Sequence, residues 1–380
     1  AIEAFLFSQA EFRHNVITHH CEIRWTEEAG FLPLTDRDVN TLWGRMNKTV
    51  GRVYLTDIYN VIHSEFVPLF NPFQSYFDHL PSWDGVSDPI GDLADTVHVK
   101  SDQAEFRDYF RKWFVGILPA LLDDTVVNHE ILVLIGEQGL YKTTWFNFLL
   151  PPELRCYFYT KTNSDRLNKD DLFSLTEFAL ICFEELDGMR PAELNQLKAM
   201  VTMPYVNERA AYGRNKERHP HIASFCGTGN NVQFLTDPTG NRRWLPFEVS
   251  QIRDPHLHAI PYELVYSQAY ALWKSGFCHW FSQEEIRKLN MHNSRFEVPN
   301  LRTHFRKPFE GEAGIFVTAA DILEQISSCL RYPLSPNKIG RIMAGLEFES
   351  IRYKGKRGYI AVKKTGEDID RERRSGALGL

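Results

Sequence analysis

Between Ala104 and Leu122 the apolar residues Phe106, Tyr109, Phe110, Trp113, Phe114, Ile117 and Leu118 recur at helical spacing. The pattern predicts a helix with one broad buried face. Three short apolar runs follow, opening the segments Ile131–Thr144, Phe178–Asp187 and Ile222–Asn231. Runs without alternation are what strands buried on both faces require. Between the last two, Pro191 suits a first helical position and Ala192–Met203 has helical periodicity; Tyr262–Lys274 and Ser282–Asn290 read as helices beyond them. Strands and helices in this order predict an α/β core, a parallel sheet flanked by helices, over residues 91–250 with a helical extension at 251–292.

The ends of the chain read differently. Phe5–Phe12, Asp36–Lys48 and Asp57–Phe66 are expected helices around a strand-like Asn15–Trp25. Residues 1–90 are therefore expected to be an accessory helical region packed on the core or lining a subunit contact. Residues 293–314 have breakers and no period, as in a linker. In 315–364, helices are expected at Ala319–Leu330 and Ser335–Leu346, the second with Ser335-Pro336 as cap and first residue. Strands at Phe348–Tyr353 and Tyr359–Lys364, joined by Lys354–Gly358, complete the helix–helix–hairpin order of a winged helix. The charged stretch 365–380 is expected to be disordered. No internal repeat is seen.

The first apolar run carries the chemistry. ILVLIGEQGLYKTT reads as a strand, a glycine-containing turn and a helix opening at Lys142-Thr143, the layout of a phosphate-binding loop. Backbone N–H groups of Gly136, Gln138 and Gly139, with the helix start at Lys142, Thr143 and Thr144, would face the phosphates of ATP. Lys142 would reach the β- and γ-phosphates and the Thr143 hydroxyl would sit on Mg²⁺. Tyr141 occupies the position where the pattern G-x-x-x-x-G-K-[ST] has its second glycine. The second run ends in Glu184, Glu185 and Asp187. Glu184 is the candidate to hold the metal through water and Glu185 to orient and deprotonate the attacking water, with Asp187 in reserve for either role. The third run ends in Asn230, first choice to bond the γ-phosphate or the water, and Asn231; Gly-Asn-Asn is also ordinary turn chemistry. Arg242 and Arg243 leave a tight Asp-Pro-Thr-Gly-Asn loop, and one of them is expected to reach the γ-phosphate of a neighbouring subunit while the other makes a structural ion pair.

Strand–loop–Lys-Thr, Glu-Glu-Leu-Asp, Leu-Lys-Ala-Met, Tyr-Gly-Arg, Gly-Thr-Gly-Asn and Asp-Pro-Thr-Gly-Asn-Arg-Arg-Trp-Leu-Pro occur in that order. In this order they resemble the virulence-associated protein E family, with Asn71-Pro72-Phe73 and Ser82-Trp83-Asp84-Gly85 similar to the entry of that domain. The resemblance runs from about Asn71 to Val249. It implies a helicase-like P-loop ATPase of phages, plasmids or integrated elements, related to superfamily-three helicases and the AAA+ group. It further implies Lys142 and Thr143 on the triphosphate and magnesium, Glu184 and Glu185 as the acidic pair, Asn230 as sensor, and Arg242 or Arg243 acting across a subunit interface. Rings, commonly hexameric, that thread single-stranded or forked DNA belong to the same implication; a primase-like partner or fused domain is a further expectation.

Composition narrows the picture little. The chain has 380 residues, 43% hydrophobic and 24% charged, with a net charge of -6, so nucleic-acid contact must be local. Two places qualify: Arg209, Arg214, Lys216 and Arg218 interleave with Tyr205 and Tyr212, and Lys338, Arg341, Lys354, Lys356 and Arg357 gather in the winged-helix segment. The cysteines are scattered with no C-x-x-C pair, which argues against structural zinc and fits a reducing, cytoplasmic setting. No run is long and apolar enough for a membrane span. The opening at Ala1 rather than Met is what is expected of a fragment or of a processed or trimmed chain. Two other functions fit the same residues: a nucleotide-dependent assembly switch or loader without unwinding, and a degenerate structural subunit whose site Tyr141 has closed.

Overall fold

The computed structural model describes residues 2–26, 30–162, 169–189, 191–208, 217–235, 241–297, 305–308, 311–326, 336, 339–340, 343 and 348–365. At the N-terminus, α1 (Ile2–Gln9) leads directly into β1 (Ala10–Asn15), which pairs antiparallel with β2 (His20–Trp25). β3 (Leu32–Pro33) and β4 (Leu69–Phe70) complete a sheet of order β3-β2-β1-β4, and α2 (Asp36–Thr49) and α3 (Leu55–Ile62) pack on it. The helices expected at Asp36–Lys48 and Asp57–Phe66 are present as α2 and α3, but they pack on a sheet expected only as the strand-like Asn15–Trp25, and the helix expected over Phe5–Phe12 stops at Gln9. The reason is period-2 alternation: Ala10 and Phe12, like Cys21 and Ile23, face the core, while Arg13 pairs across the strands with Glu22 at 2.5 Å and Arg24 pairs with Glu11.

The central sheet holds β5 (Val97–Val99), β6 (Ile131–Ile135), β7 (Phe158–Lys161), β8 (Leu180–Phe183), β11 (Ser224–Gly229) and β12 (Trp244–Ile252), in the order β5-β12-β6-β11-β8-β7. All but the antiparallel β5 run parallel. Between β8 and β11 the chain makes a hairpin of β9 (Tyr205–Glu208) and β10 (Glu217–Pro220). Alternate side chains of the sheet enter two cores. Leu132, Leu134, Cys182, Cys226 and Phe247 join one with the helix α6 (Gln103–Leu122); Ile131, Val133, Ile135, Ile181 and Trp244 join the other with α9 (Pro191–Val201). This double burial is why the strands read as continuous apolar runs.

α6 is capped by the Asp102 side chain, which accepts from Ala104 N–H, and buries Phe106, Phe110, Trp113 and Phe114. Each such ring contributes roughly 2 kcal/mol of transfer free energy. Trp113 Nε1 also donates to Phe225 O at 2.9 Å, fixing the helix to β11. Phe73 and Phe77 of α4 (Pro72–Asp78), α5 (Pro89–Ala94) and α10 (Tyr262–Lys274) enter this same core. The accessory region therefore ends near Phe70, short of the expected residue 90, and the helical extension is continuous with the core. The segment expected as a linker begins inside α11 (Gln283–Asn293) and later supplies β13 (Phe305–Arg306), paired with β16 (Lys356–Lys363).

In the last unit β14 (Ile315–Val317), α12 (Ala319–Ile326), β15 (Ser350–Tyr353) and β16 (Lys356–Lys363) share a small core of Phe305, Val317, Ile322, Ile339, Met343, Phe348, Tyr359 and Ala361. Most of the expected helix Ser335–Leu346 and the tail from 366 lie outside the described residues; Ile339 and Met343 are helical and buried. The hairpin turn is tighter than the expected Lys354–Gly358. Tyr353 pairs with Lys356 around Lys354 and Gly355, both left-handed.

Candidate active site

β6, β11 and β8 are parallel neighbours, so their C-terminal ends open on one edge of the sheet. There Gly136 N–H donates to Gly229 O at 3.1 Å, and a β-carbon on Gly136 would stand 2.9 Å from Val249 O. Only glycine fits that approach. Gly139 (φ +88°) carries the left-handed bend of the loop. Tyr141 is left-handed too (φ 60°, ψ 17°), with its side chain 41% exposed. This is the conformation the missing glycine would adopt freely; a tyrosine pays about 1–2 kcal/mol for it.

α7 (Lys142–Phe148) starts at once, held to the core by Trp145, whose Nε1 donates to Thr96 Oγ1 at 2.8 Å. Lys142 is 8% exposed. Its Nζ donates to the carbonyls of Gly136 (2.6 Å) and Glu137 (2.7 Å) and stands 3.4 Å from Asn230 Oδ1. Burial lowers the pKa of the ammonium, and the nearby Asp187 carboxylate opposes that effect. Thr143 Oγ1 donates to Glu184 Oε1 at 2.8 Å, and Glu184 N–H is tied to Lys161 O. A hydroxyl and a carboxylate side by side are a hard oxygen pair. They fit Mg²⁺, which takes few protein ligands when phosphates and water fill the rest. Glu185 is exposed and left-handed (φ 52°), and starts the turn Leu186–Gly188. The Asp187 carboxylate accepts the backbone N–H groups of Asn230 and Asn231, both at 3.2 Å. Asn231 Oδ1 accepts from Gln233 N–H, so this residue does the turn chemistry and leaves Asn230 facing Lys142.

Lys142, Thr143, Glu184 and Asn230 are thus brought together by direct contacts, with Gly136, Gly139, the exposed Gln138 and the half-buried Thr144 in the loop and first helical turn around them. Arg242 and Arg243 are not in this group. They precede Trp244, which pairs with Ile131 at the start of β6, whereas the loop leaves β6 after Ile135. Strand rise alone separates the two edges by roughly 13 Å. At the arginine edge Arg242 is exposed. Arg243 is half-buried, with burial and Arg242 lowering its pKa and Glu130 holding it up. The Glu130 carboxyl is pushed up to about 7 by burial, against Lys112 and Arg243.

Of the expected nucleic-acid residues, Arg218 on β10 lies 3.5 Å over the Tyr205 ring, and Lys354, Lys356 and Arg357 are exposed on the β15–β16 hairpin. Arg209, Arg214, Lys216, Lys338 and Arg341 lie outside the described residues. A cavity of about 590 Å³ lies between the N-terminal sheet and the core, lined by Arg13, Tyr76, Tyr157 and Glu177 among others, and includes no residue of the loop. Sequence reasoning missed the contacts of Asp187 and the half-buried acid Glu130. The Gly-Thr-Gly spacing before Asn230 was the available signal for the first, since both glycines lie under the Asp187 turn.

A model of the virulence-associated protein E-like domain matches residues 78–298. Among solved structures the chain is similar to the apo NrS-1 C-terminal region (305–718), with 12% identity, 96% of this chain and 98% of that chain covered, and a TM-score of 0.48. It is also similar to the S. cerevisiae Hsp104–ADP complex, with 13% identity, 51% and 27% covered, and a TM-score of 0.25. No curated protein matches it. Among the described residues no helix is long and apolar enough to cross a membrane.

Proposed function

The chain belongs to the virulence-associated protein E-like family, and on that premise we propose that it is an AAA+-type P-loop ATPase that moves along DNA in the replication of a mobile element. The observation that carries this reading is the convergence of Lys142, the Thr143–Glu184 pair and Asn230 on one edge of a parallel sheet. The strand order supports it: numbering the parallel strands from the loop strand gives 5-1-4-3-2, with the sensor strand β11 between the loop strand and the acidic strand.

In this reading the reaction is in-line attack of water on the γ-phosphate of ATP. Lys142 leaves its two loop carbonyls to pair with the β- and γ-phosphates. Glu185, exposed at the strand end, orients the water and takes its proton. Asn230 holds the water or the γ-phosphate by its amide. Thr143 and Glu184 would hold Mg²⁺, which when bound neutralises phosphate charge. The arginines of the same subunit sit a strand length away, so the charge at the γ-phosphate is met by a neighbour in a ring. Of the two, Arg242 is the one presented to that neighbour, because it is exposed whereas Arg243 is half-buried.

The C-terminal unit is proposed as a winged helix. Its hairpin presents Arg352, Lys354, Lys356 and Arg357 beside the exposed Tyr353, cations for phosphate and a ring for stacking on a single strand. Tyr141 favours a second reading, a slowly hydrolysing assembly switch, because a tyrosine holds the left-handed loop position where the pattern has glycine.

Lys142→Ala tests the central claim. Release of phosphate from ATP is expected to fall by at least about a thousandfold, with the melting temperature preserved, since the substitution removes a desolvated charge and no apolar packing. Retained turnover would end the ATPase reading. ATP turnover without unwinding of a forked duplex would favour the switch.

A further inference from the structure

We propose that Asp187 is a positioning residue that sets the sensor Asn230; the inference rests on the ATPase reading for its kinetic consequence and on geometry alone for the contact. Both oxygens of this carboxylate are engaged by consecutive backbone N–H groups, Oδ1 by Asn230 and Oδ2 by Asn231. Such charge-assisted bonds fix the backbone at the end of β11 in two directions at once. A carboxylate so engaged is poorly placed to serve as a base or a metal ligand, the roles held in reserve for it above.

The glycines of β11 fit the same account. The turn Leu186–Gly188 lies directly on the strand. A β-carbon at Gly227 would come within 2.1 Å of Leu186 Cδ1, and one at Gly229 within 3.2 Å of Asp187 Oδ1. The bare strand lets the turn approach, and the approach brings the carboxylate to the strand end. With the backbone of Asn230 held there, its Oδ1 stands 3.4 Å from Lys142 Nζ, while Asn231 turns away to Gln233. Asp187 also supports the charge on Lys142. The acidic strand end and the sensor strand end are therefore mechanically one unit, and Asp187 is the joint.

The test compares Asp187→Ala and Asp187→Asn in the full chain. Asp187→Ala is expected to bind a fluorescent ATP analogue within about threefold of the parent yet lose about tenfold or more in kcat, because a misplaced sensor costs the transition state and not the ground state. Asp187→Asn keeps one acceptor oxygen and is expected to fall between. Hydrogen–deuterium exchange should accelerate at Asn230 and Asn231 and stay unchanged in the β9–β10 hairpin. A parental kcat in Asp187→Ala overturns the proposal. So does a loss of kcat matched in both variants by loss of the cooperative melt, the mark of a merely structural residue. If Lys142→Ala retains turnover, the ATPase reading falls on its own and exchange alone judges the joint; unchanged exchange at Asn230 and Asn231 then overturns it.

Discussion

The two edges of the central sheet are built on opposite principles. At the loop edge the work is done by backbone: glycines at 136, 139 and 229, carbonyls gathered on one lysine, and a carboxylate holding two amide N–H groups. At the arginine edge it is done by charge on side chains, with an exposed Arg242, a half-buried Arg243 and an acid pushed up to about 7. The first edge gathers the groups that the proposal sets against phosphate, and neither Arg242 nor Arg243 is among them. The second pairs Arg243 electrostatically with Glu130 and leaves Arg242 exposed. The difference fits the proposal that each edge is half a site, with the halves completed between copies of the chain.

Mixing gives the largest test of that pairing. A double variant Arg242→Ala, Arg243→Ala should bind ATP with near-parental affinity and lose about a thousandfold or more in turnover. Combined with the Lys142→Ala variant, equally inactive alone, it should regain part of the activity, because some interfaces then pair an intact loop with intact arginines. Phosphate release from the mixture, titrated against protein concentration, reads this out. No rescue, together with specific activity independent of concentration, would break the comparison and leave two unrelated edges.

A smaller effect sharpens the loop edge by itself. Glu185→Gln should keep nucleotide affinity and lose about a hundredfold or more in turnover, since the amide fills the space but cannot accept the proton. If Glu184→Gln behaves this way instead, the two acids exchange roles. The Thr143 contact of Glu184 argues against that exchange.

The smallest effect concerns how the arginine edge is braced. His292 of α11 is 2.9 Å from Glu105 Oε2 through Nδ1 and 2.6 Å from Pro246 O through Nε2, and its neighbour Asn293 donates to Asn241 O at the base of the arginine turn. The hydrogen bond from His292 holds the Glu105 carboxyl below its ordinary value of 4.5, with burial opposing. A depressed carboxyl contributes stability above about pH 4.5 that is lost as pH falls through the lower folded value. Glu105→Gln should therefore lower the melting temperature by roughly 2 °C at neutral pH, and the gap should close on acidification. A gap that stays constant down to pH 3 would remove the brace from the account.

The core was largely legible because its strands are buried on both faces and its helices on one, patterns that survive without an alignment. The loop, the acidic strand end and the amide strand end were read from apolar runs that stop at chemistry. The N-terminal hairpin was not, because α1 runs into β1 without a breaker and its alternation lasts only six residues. Short strands that depend on partners far along the chain, such as β13 on β16, leave no local period to read. The placement of Asp187 was hidden for a different reason: its value lies in backbone N–H groups more than forty positions away, and every residue offers those.

Tyr141 has a consequence that lies in the unfolded chain. Replacing it by glycine would release the left-handed strain in the folded loop, a gain of about 1–2 kcal/mol. The same glycine would widen the conformational freedom of the unfolded chain and return roughly 1 kcal/mol of that gain as entropy. The two effects nearly cancel, so the global melt is almost blind to the exchange. What distinguishes the two residues is confined to the loop: a tyrosine there narrows the shapes that the segment can sample before any phosphate arrives, and a glycine would restore them.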